Sequence, residues 1–395
     1  MSPSQTSLNQ TSHNPGAAGN RLVVYSVFNP ASWKIEPRRE IPQGLLYATP
    51  LLAVVLTVVA GFFIFLSMGY NPFLALYHFF VSPLLTLYGL SELLVKAGPL
   101  IMIGVGLAVG FRANVWNIGA EGQLTLGAIS GGVIALAFWN QETWWTLPLM
   151  CLCAVGGGMA YAAIPAFLRT RFNVNEILTS LMLTYVATLF LSTLVYGPLK
   201  DPMGFNFPQS RMFGDAALLP ILLEGTRLHL GGAIALAIAV AVWVLMTFTI
   251  VGFQVRVLGQ APAAARYAGF SGKRIVWFCL LLSGGLAGLA GTFEVAGPIG
   301  QLVPVISPGY GFTAIIVAFL GRLHPLGIIL SGLVMALSYI GGENAQVQVG
   351  LPQAVTGVFQ GLLLFFLLAS DFLVRYRVRR NPAALRHAPQ AQPAE

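Results

Sequence analysis

Two short stretches concentrate polar side chains and glycines in an otherwise apolar chain: Asn117-Ile118-Gly119-Ala120-Glu121-Gly122-Gln123 and Ser307-Pro308-Gly309-Tyr310-Gly311-Phe312-Thr313. Amides, hydroxyls and one carboxylate in such surroundings suit hydrogen bonding to a passing solute or ion. Glycine and proline there break a helix, and the freed backbone groups can face a water-filled cavity. Covalent chemistry is poorly provided for. There is no Gly-x-Ser-x-Gly elbow and no His-Glu-x-x-His helix. Gly272-Lys273 is followed by Arg274 and has Tyr267 where a phosphate loop needs its first glycine, so ATP has no site on this chain. Cys151, Cys153 and Cys279 form no CxxC pair and have no histidine at ligand spacing, which leaves them as packing residues. The sequence thus offers neither a catalytic constellation nor a metal site.

Composition defines the elements that must position these stretches. Of 395 residues, 56% are hydrophobic and only 9% charged, with a mean hydropathy of +0.76, whereas a soluble chain carries about a quarter charged residues. Uncharged runs long enough to cross a bilayer predict an all-α polytopic membrane bundle of about ten spans, near 45–68, 88–110, 119–139, 147–167, 178–197, 231–250, 275–296, 311–322, 325–341 and 353–371. Residues 71–84, with His78, read as an interfacial helix. The net charge of +8 comes from basic residues in short segments between apolar runs, so it reports membrane orientation and not a nucleic-acid partner. In this count nearly all Lys and Arg fall on one side together with both ends of the chain. Both termini are therefore expected in the cytoplasm, with Trp139, Trp144 and Trp145 in an aromatic belt at an outer turn. The domain plan is a polar tail over 1–43, a membrane domain over 44–371 with an inner loop at 251–275 and an outer loop at 197–230, and a basic tail over 372–395. The first forty residues are too polar for a cleavable secretory signal.

The two broken stretches lie five spans apart, an odd number, so they enter the membrane from opposite faces. That is the arrangement of a five-plus-five inverted repeat, whose matching broken helices mark a transport pathway. Asn117, Gly119, Glu121 and Gln123, with Ser307, Gly309, Phe312 and Thr313, are the pathway residues expected on this ground. Glu121 either faces the bundle interior or pairs with Arg112 near the inner surface. Glu294, Glu343 and Asn344 fall near the outer ends of spans and read as solvated rim residues. The run from Ser283 to Gly291 is rich in glycine, alanine and serine, which lets helix backbones approach closely.

The inner loop holds Pro262-Ala263-Ala264-Ala265-Arg266-Tyr267-Ala268-Gly269. Proline suits a first helical turn, alanine is the strongest helix former, and glycine suits the stop. A helix this short is marginal alone and gains stability by docking on another protein. The spacing resembles the Glu-Ala-Ala-x-x-x-Gly coupling loop of ATP-binding-cassette importer permeases, with Ala263 in place of the glutamate. Together with Asn117–Gln123, Gly311-Phe312-Thr313-Ala314-Ile315, Gly321-Arg322-Leu323-His324-Pro325-Leu326-Gly327 and Gly341-Gly342-Glu343, it is similar to the permeases serving simple sugars, branched-chain amino acids and nucleosides, most of all the nucleoside branch. The similarity runs from about Tyr88 to Asp371.

The resemblance implies a permease subunit in the bacterial cytoplasmic membrane that pairs with a second, identical or paralogous, permease. It docks cytoplasmic ATPases, which hold ATP and Mg, through Pro262, Ala263, Ala264, Ala265, Arg266, Tyr267 and Gly269. It receives a small-molecule substrate from an extracytoplasmic solute-binding protein, and no cofactor is bound by the chain itself. Sugars or branched-chain amino acids are the alternative cargo to nucleosides. An ion-coupled secondary transporter is the alternative machine, disfavoured because few acidic residues fall at the centres of spans.

Overall fold

The computed structural model describes residues 33–37, 43–141 and 143–380. Most of the two polar tails, including the basic residues Arg21, Arg38, Arg39 and Arg386, lies outside the described residues. Thirteen helices follow one another among those described. They are α1 (Gln43–Ser67), α2 (Pro72–Leu76), α3 (Leu87–Arg112), α4 (Ala120–Ala137), α5 (Thr146–Phe172), α6 (Glu176–Tyr196), α7 (Leu230–Phe248), α8 (Ile250–Gln260), α9 (Pro262–Tyr267), α10 (Gly272–Glu294), α11 (Tyr310–Leu320), α12 (Pro325–Val349) and α13 (Ala354–Arg375). Eight of them are long and apolar enough to cross a membrane. The all-helical membrane bundle is therefore as expected.

Three details differ from expectation. The predicted span 311–322 is α11, a helix of 11 residues whose rise is only about half the hydrocarbon thickness. Its entry at Gly309 and its exit at Arg322 and Leu323 all have positive φ, which halts the helix at both ends although its residues are as apolar as a full span. The first part of the predicted inner loop is α8, which starts after a break at Thr249, whose hydroxyl accepts the Gly252 N–H. Among the described residues of the tails, β1 (Trp33–Pro37) pairs antiparallel with β2 (Tyr376–Arg380), Ile35 opposite Val378. As expected, residues 72–85 form short helical turns. They begin at Asn71, whose side chain accepts two backbone N–H groups.

Burial separates a central set of helices from a lipid-facing set. The most apolar stretch is 83% buried in α3, 72% in α10 and 67% in α4, against 22% in both α5 and α6. Small residues make this centre possible. A Cβ on Gly127 of α4 would overlap Gly288 of α10, and one on Gly158 of α5 would overlap the Gly284 carbonyl. The Thr292 hydroxyl then reaches across to donate to the Gly127 carbonyl at 3.1 Å. With no hydrophobic force between helices in lipid, such close backbone packing is what holds them together.

Gly158→Leu should therefore destabilise the protein by about 1–3 kcal/mol through overpacking. Gly156→Ala, two residues away on the opposite face of α5 with open space around it, should stabilise it by about 0.5–1 kcal/mol through helix propensity. Thermal unfolding of the two purified variants in detergent checks the opposite signs.

Candidate functional site

The two broken stretches meet. Residue contacts fix the directions: α3 and α10 are antiparallel, with Cys279 Sγ 3.9 Å from the Val109 carbonyl and Gly106 packed on Ser283. Helix α4 runs with α10, and α11 runs with α3, where Phe319 stacks on Phe111 at 5.2 Å. Helices α4 and α11 are thus antiparallel, and their N-termini abut. A Cβ on Gly311 would overlap the backbone of Glu121, so only glycine allows this approach.

Glu121 joins the two ends. Its carboxylate accepts the Gly311 N–H at 2.6 Å and is also hydrogen-bonded by the Ser307 hydroxyl and the Gly309 N–H. Ser307 Oγ in turn accepts the N–H groups of Gly309 at 3.1 Å and Tyr310 at 2.8 Å. The free donors that every helix N-terminus exposes are satisfied here by residues of another helix and of the preceding turn. A carboxyl group at this position also faces the positive ends of both helix dipoles. The alternative pairing of Glu121 with Arg112 is not formed. Arg112 lies near Arg256 instead.

Beside this joint sits a buried amide cluster. Asn117 donates to Gln123 Oε1 at 2.7 Å and to the Ser283 hydroxyl at 2.9 Å, while Gln123 donates back to Asn117 at 3.1 Å. Asn117 Oδ1 also accepts the Gly119 N–H at 3.1 Å. Ser283 is near the middle of α10, which puts the whole cluster near mid-depth. Thr313 shares a 2.7 Å hydrogen bond with the Tyr339 hydroxyl and donates to Gln360 at 3.4 Å. Phe312, by contrast, is 38% exposed and stays apart from these contacts.

The sequence-based reading misplaced Glu294 and did not pair the charged groups around it. Glu294, expected on a solvated rim, is buried, within electrostatic reach of Lys96 and Arg227. Lys96 bridges to Glu343 at 3.4 Å and lies 5.9 Å from the Tyr310 ring. Glu343 itself is exposed, as expected, and Asn344 donates to the His78 carbonyl at 2.8 Å. Arg227, from the loop after α6, donates twice to the buried Glu92, and these bonds hold its guanidinium above its usual pKa. The same loop is pinned to the chain after α10 through Ser210 with Leu302, Phe213 with Gly300, and Leu219 with Ala296. Its Arg211 lies 5.1 Å over the Trp139 ring. The available signal was the rule that an ionisable residue inside a span has a partner; the partner's identity required the fold.

At the other end, α9 runs from Pro262 to Tyr267 and stops at Gly269, where φ is +79°. Ala265 is buried against the bundle, whereas Pro262, Ala263, Ala264, Arg266 and Gly269 are exposed and Tyr267 is 98% exposed. A groove of about 520 Å³ beneath it is lined by Arg169, Arg266 and Lys273.

Fold and site together define a multi-pass membrane protein with discontinuous helices meeting at mid-depth and one short helix projecting from an end. Residues 89–368 match the family described as branched-chain amino acid transport system, permease component. The chain is 41% identical to a glucose ABC transporter permease protein of Haloferax volcanii, covering 87% of this chain and 93% of that one. It is 30% identical to a guanosine ABC transporter permease protein of Bacillus subtilis over 83% of this chain and 94% of that one. A nucleoside ABC transporter permease protein of Lactococcus lactis shares 28% over 85% and 93%. The chain belongs to this permease family of ATP-binding-cassette transporters.

Replacing Glu121 should expose the joint energetically. Glu121→Gln should cost about 1–3 kcal/mol and Glu121→Ala more, because it leaves buried N–H groups unpaired. Thermal unfolding in detergent should rank wild type above Gln above Ala. An Ala variant melting with the wild type would remove the carboxylate from this role.

Proposed function

We propose that the chain is the membrane subunit of an ATP-driven importer, working beside a second permease, cytoplasmic ATPases and an extracytoplasmic binding protein. The observation that carries the reading is α9: a six-residue helix anchored by Ala265 alone, with Tyr267 almost wholly exposed. An aromatic side chain left in solvent on a short helix has the character of an interface anchor. Substitution of Ala263 for the family glutamate changes one contact of that helix and leaves its shape intact.

In this reading the α9 end faces the cytoplasm, the loop 197–230 faces outside, and the membrane is the cytoplasmic one. Pairing of β1 with β2 supports placing both tails on one side. ATP hydrolysis belongs to the partners. Closure of the ATPases would push α9, and through α8 and α10 would rock the helices that meet at Glu121 between two openings. Substrate would pass along the Asn117–Gln123 and Ser307–Thr313 segments.

The cargo is a neutral solute carrying a hydroxylated ring: a nucleoside, as the motifs suggest, or a simple sugar, as the glucose-permease relative suggests. Uptake of radiolabelled guanosine and glucose by cells expressing the whole transporter separates the two. Tyr267→Ala should weaken ATPase co-purification by about 30-fold, the loss of roughly 2 kcal/mol at an aromatic anchor. An unaltered complex and unaltered uptake would overturn the docking assignment.

A further inference from the structure

A cavity of about 160 Å³ lies between α12, α13 and the segment preceding α11, where Pro308 closes one side. Its lining has an unusual chemistry for a membrane bundle. Glu343, Gln346, Gln353 and Thr356 stand at one level, and Tyr339 and Gln360 stand seven or fewer residues deeper along the same two helices. Seven helical residues rise about 10 Å. The polar wall therefore begins at the ends of α12 and α13 nearest their connection and descends into the membrane.

Below it the hydrogen bonds continue. Gln360 Oε1 accepts from Thr313 at 3.4 Å, and Thr313 shares its hydroxyl with Tyr339 at 2.7 Å. Thr313 is in the first turn of α11, directly after the Glu121 joint. Amides facing lipid at this depth would be costly, so the wall fronts water, a partner subunit or a ligand.

Gln360 carries the decisive feature. One end of its amide meets the Thr313 hydroxyl at 3.4 Å, while Nε2 is buried beside the Tyr339 hydroxyl without a well-formed hydrogen bond. A buried NH2 without an acceptor is disfavoured, so the site is arranged to receive one. Charge narrows the ligand further. The single charged residue lining the cavity is Glu343, and Lys96 offsets it at 3.4 Å. No Lys or Arg lines the cavity to hold a free carboxylate, so an amino acid fits it poorly. A neutral ring with adjacent hydroxyls, each able to accept from an amide and donate to an amide or phenol oxygen, suits it well.

We propose that this glutamine-lined cavity is a substrate subsite on the outer side of the pathway, which takes the hydroxylated ring of a neutral solute and uses Gln360 to select it. The inference rests on the importer reading and adds the residues that choose the cargo. Both sources of such a ring, a free hexose and the ribose of a nucleoside, present the same chemistry to Gln360.

The test uses the full transporter in proteoliposomes: this permease, its partner, the ATPases and the binding protein saturated with glucose or with guanosine, each compared with an analogue lacking one ring hydroxyl. Gln360→Leu should lower the uptake rate of the preferred solute about tenfold, the loss of one hydrogen bond near the upper end of its range. It should also abolish discrimination against the deoxy analogue, whereas Gln360→Asn should retain part of it. Basal ATP hydrolysis and subunit stoichiometry should stay at wild-type levels, which a merely misfolded variant would not show. Whichever wild-type arm transports identifies the ring's source. Wild-type uptake with unchanged rate and discrimination in Gln360→Leu overturns the subsite alone. A wild-type complex that moves neither solute overturns the importer reading for these cargoes and the subsite with it.

Discussion

The contact between Glu121 and the start of α11 is the constraint from which the rest of the architecture follows. Two helices whose N-termini point at one another bring together two positive dipole ends and a set of unpaired N–H groups. In a dry interior neither can be left unanswered. A carboxylate between them answers both at once. It must reach the second helix without a side chain in the way, which is why Gly311 lies against the Glu121 backbone. The same contact makes α11 short. A helix that begins at mid-depth and ends near Phe111 and Trp116, whose rings pack with Phe319, has only half a membrane to cross.

Such a joint needs a rigid frame, and the frame is built from backbone proximity. Helix α10 touches α4 and α5 through glycines at Gly284, Gly288 and Gly291, and α3 lies on its other flank. Ser283, within this small-residue run, supplies the hydroxyl that fixes Asn117 and so the entry into α4. Packing and polar positioning are therefore properties of one stretch of α10. Around it the less buried helices α5, α6 and α7 turn broad faces outward. That division suits a protein in which the centre changes shape and the periphery meets lipid or a second subunit.

Local chemistry was readable from the sequence, and distant partnership was not. Pro262 and Gly269 bound α9 as their backbone preferences require, and the broken stretches stood out because glycine and proline interrupt apolar runs. Hydropathy placed the long spans for the same reason. It overestimated α11, because a half-helix packed inside protein is as apolar as one crossing lipid. The partner of Glu121 is 190 residues away in the chain, so the nearer Arg112 was an equally reasonable partner until the fold excluded it. Glu294 was misplaced because a position near a helix end says nothing of whether neighbouring segments cover it. The 296–302 segment that follows is bonded to the loop carrying Ser210, Phe213 and Leu219, a cover invisible to any window of sequence.

The joint also bears on how transport is driven. An ion-coupled carrier needs a carboxylate at mid-depth that can exchange its cation or proton during the cycle. Glu121 has the depth, but its oxygens are committed to Gly311, Gly309 and Ser307. Neutralising it would weaken its hold on the Gly311 N–H at the start of α11. A group that holds the two halves together is poorly suited to alternate between charged and neutral states. The remaining acidic residues of the buried region, Glu92 and Glu294, stand near Arg227 and Lys96 and at the opposite end of the bundle from α9. The carboxylates thus serve to hold elements in place, and the energy for moving them has to enter elsewhere. On the proposed reading it enters at α9, which is held by one buried alanine and joined directly to α8 and α10.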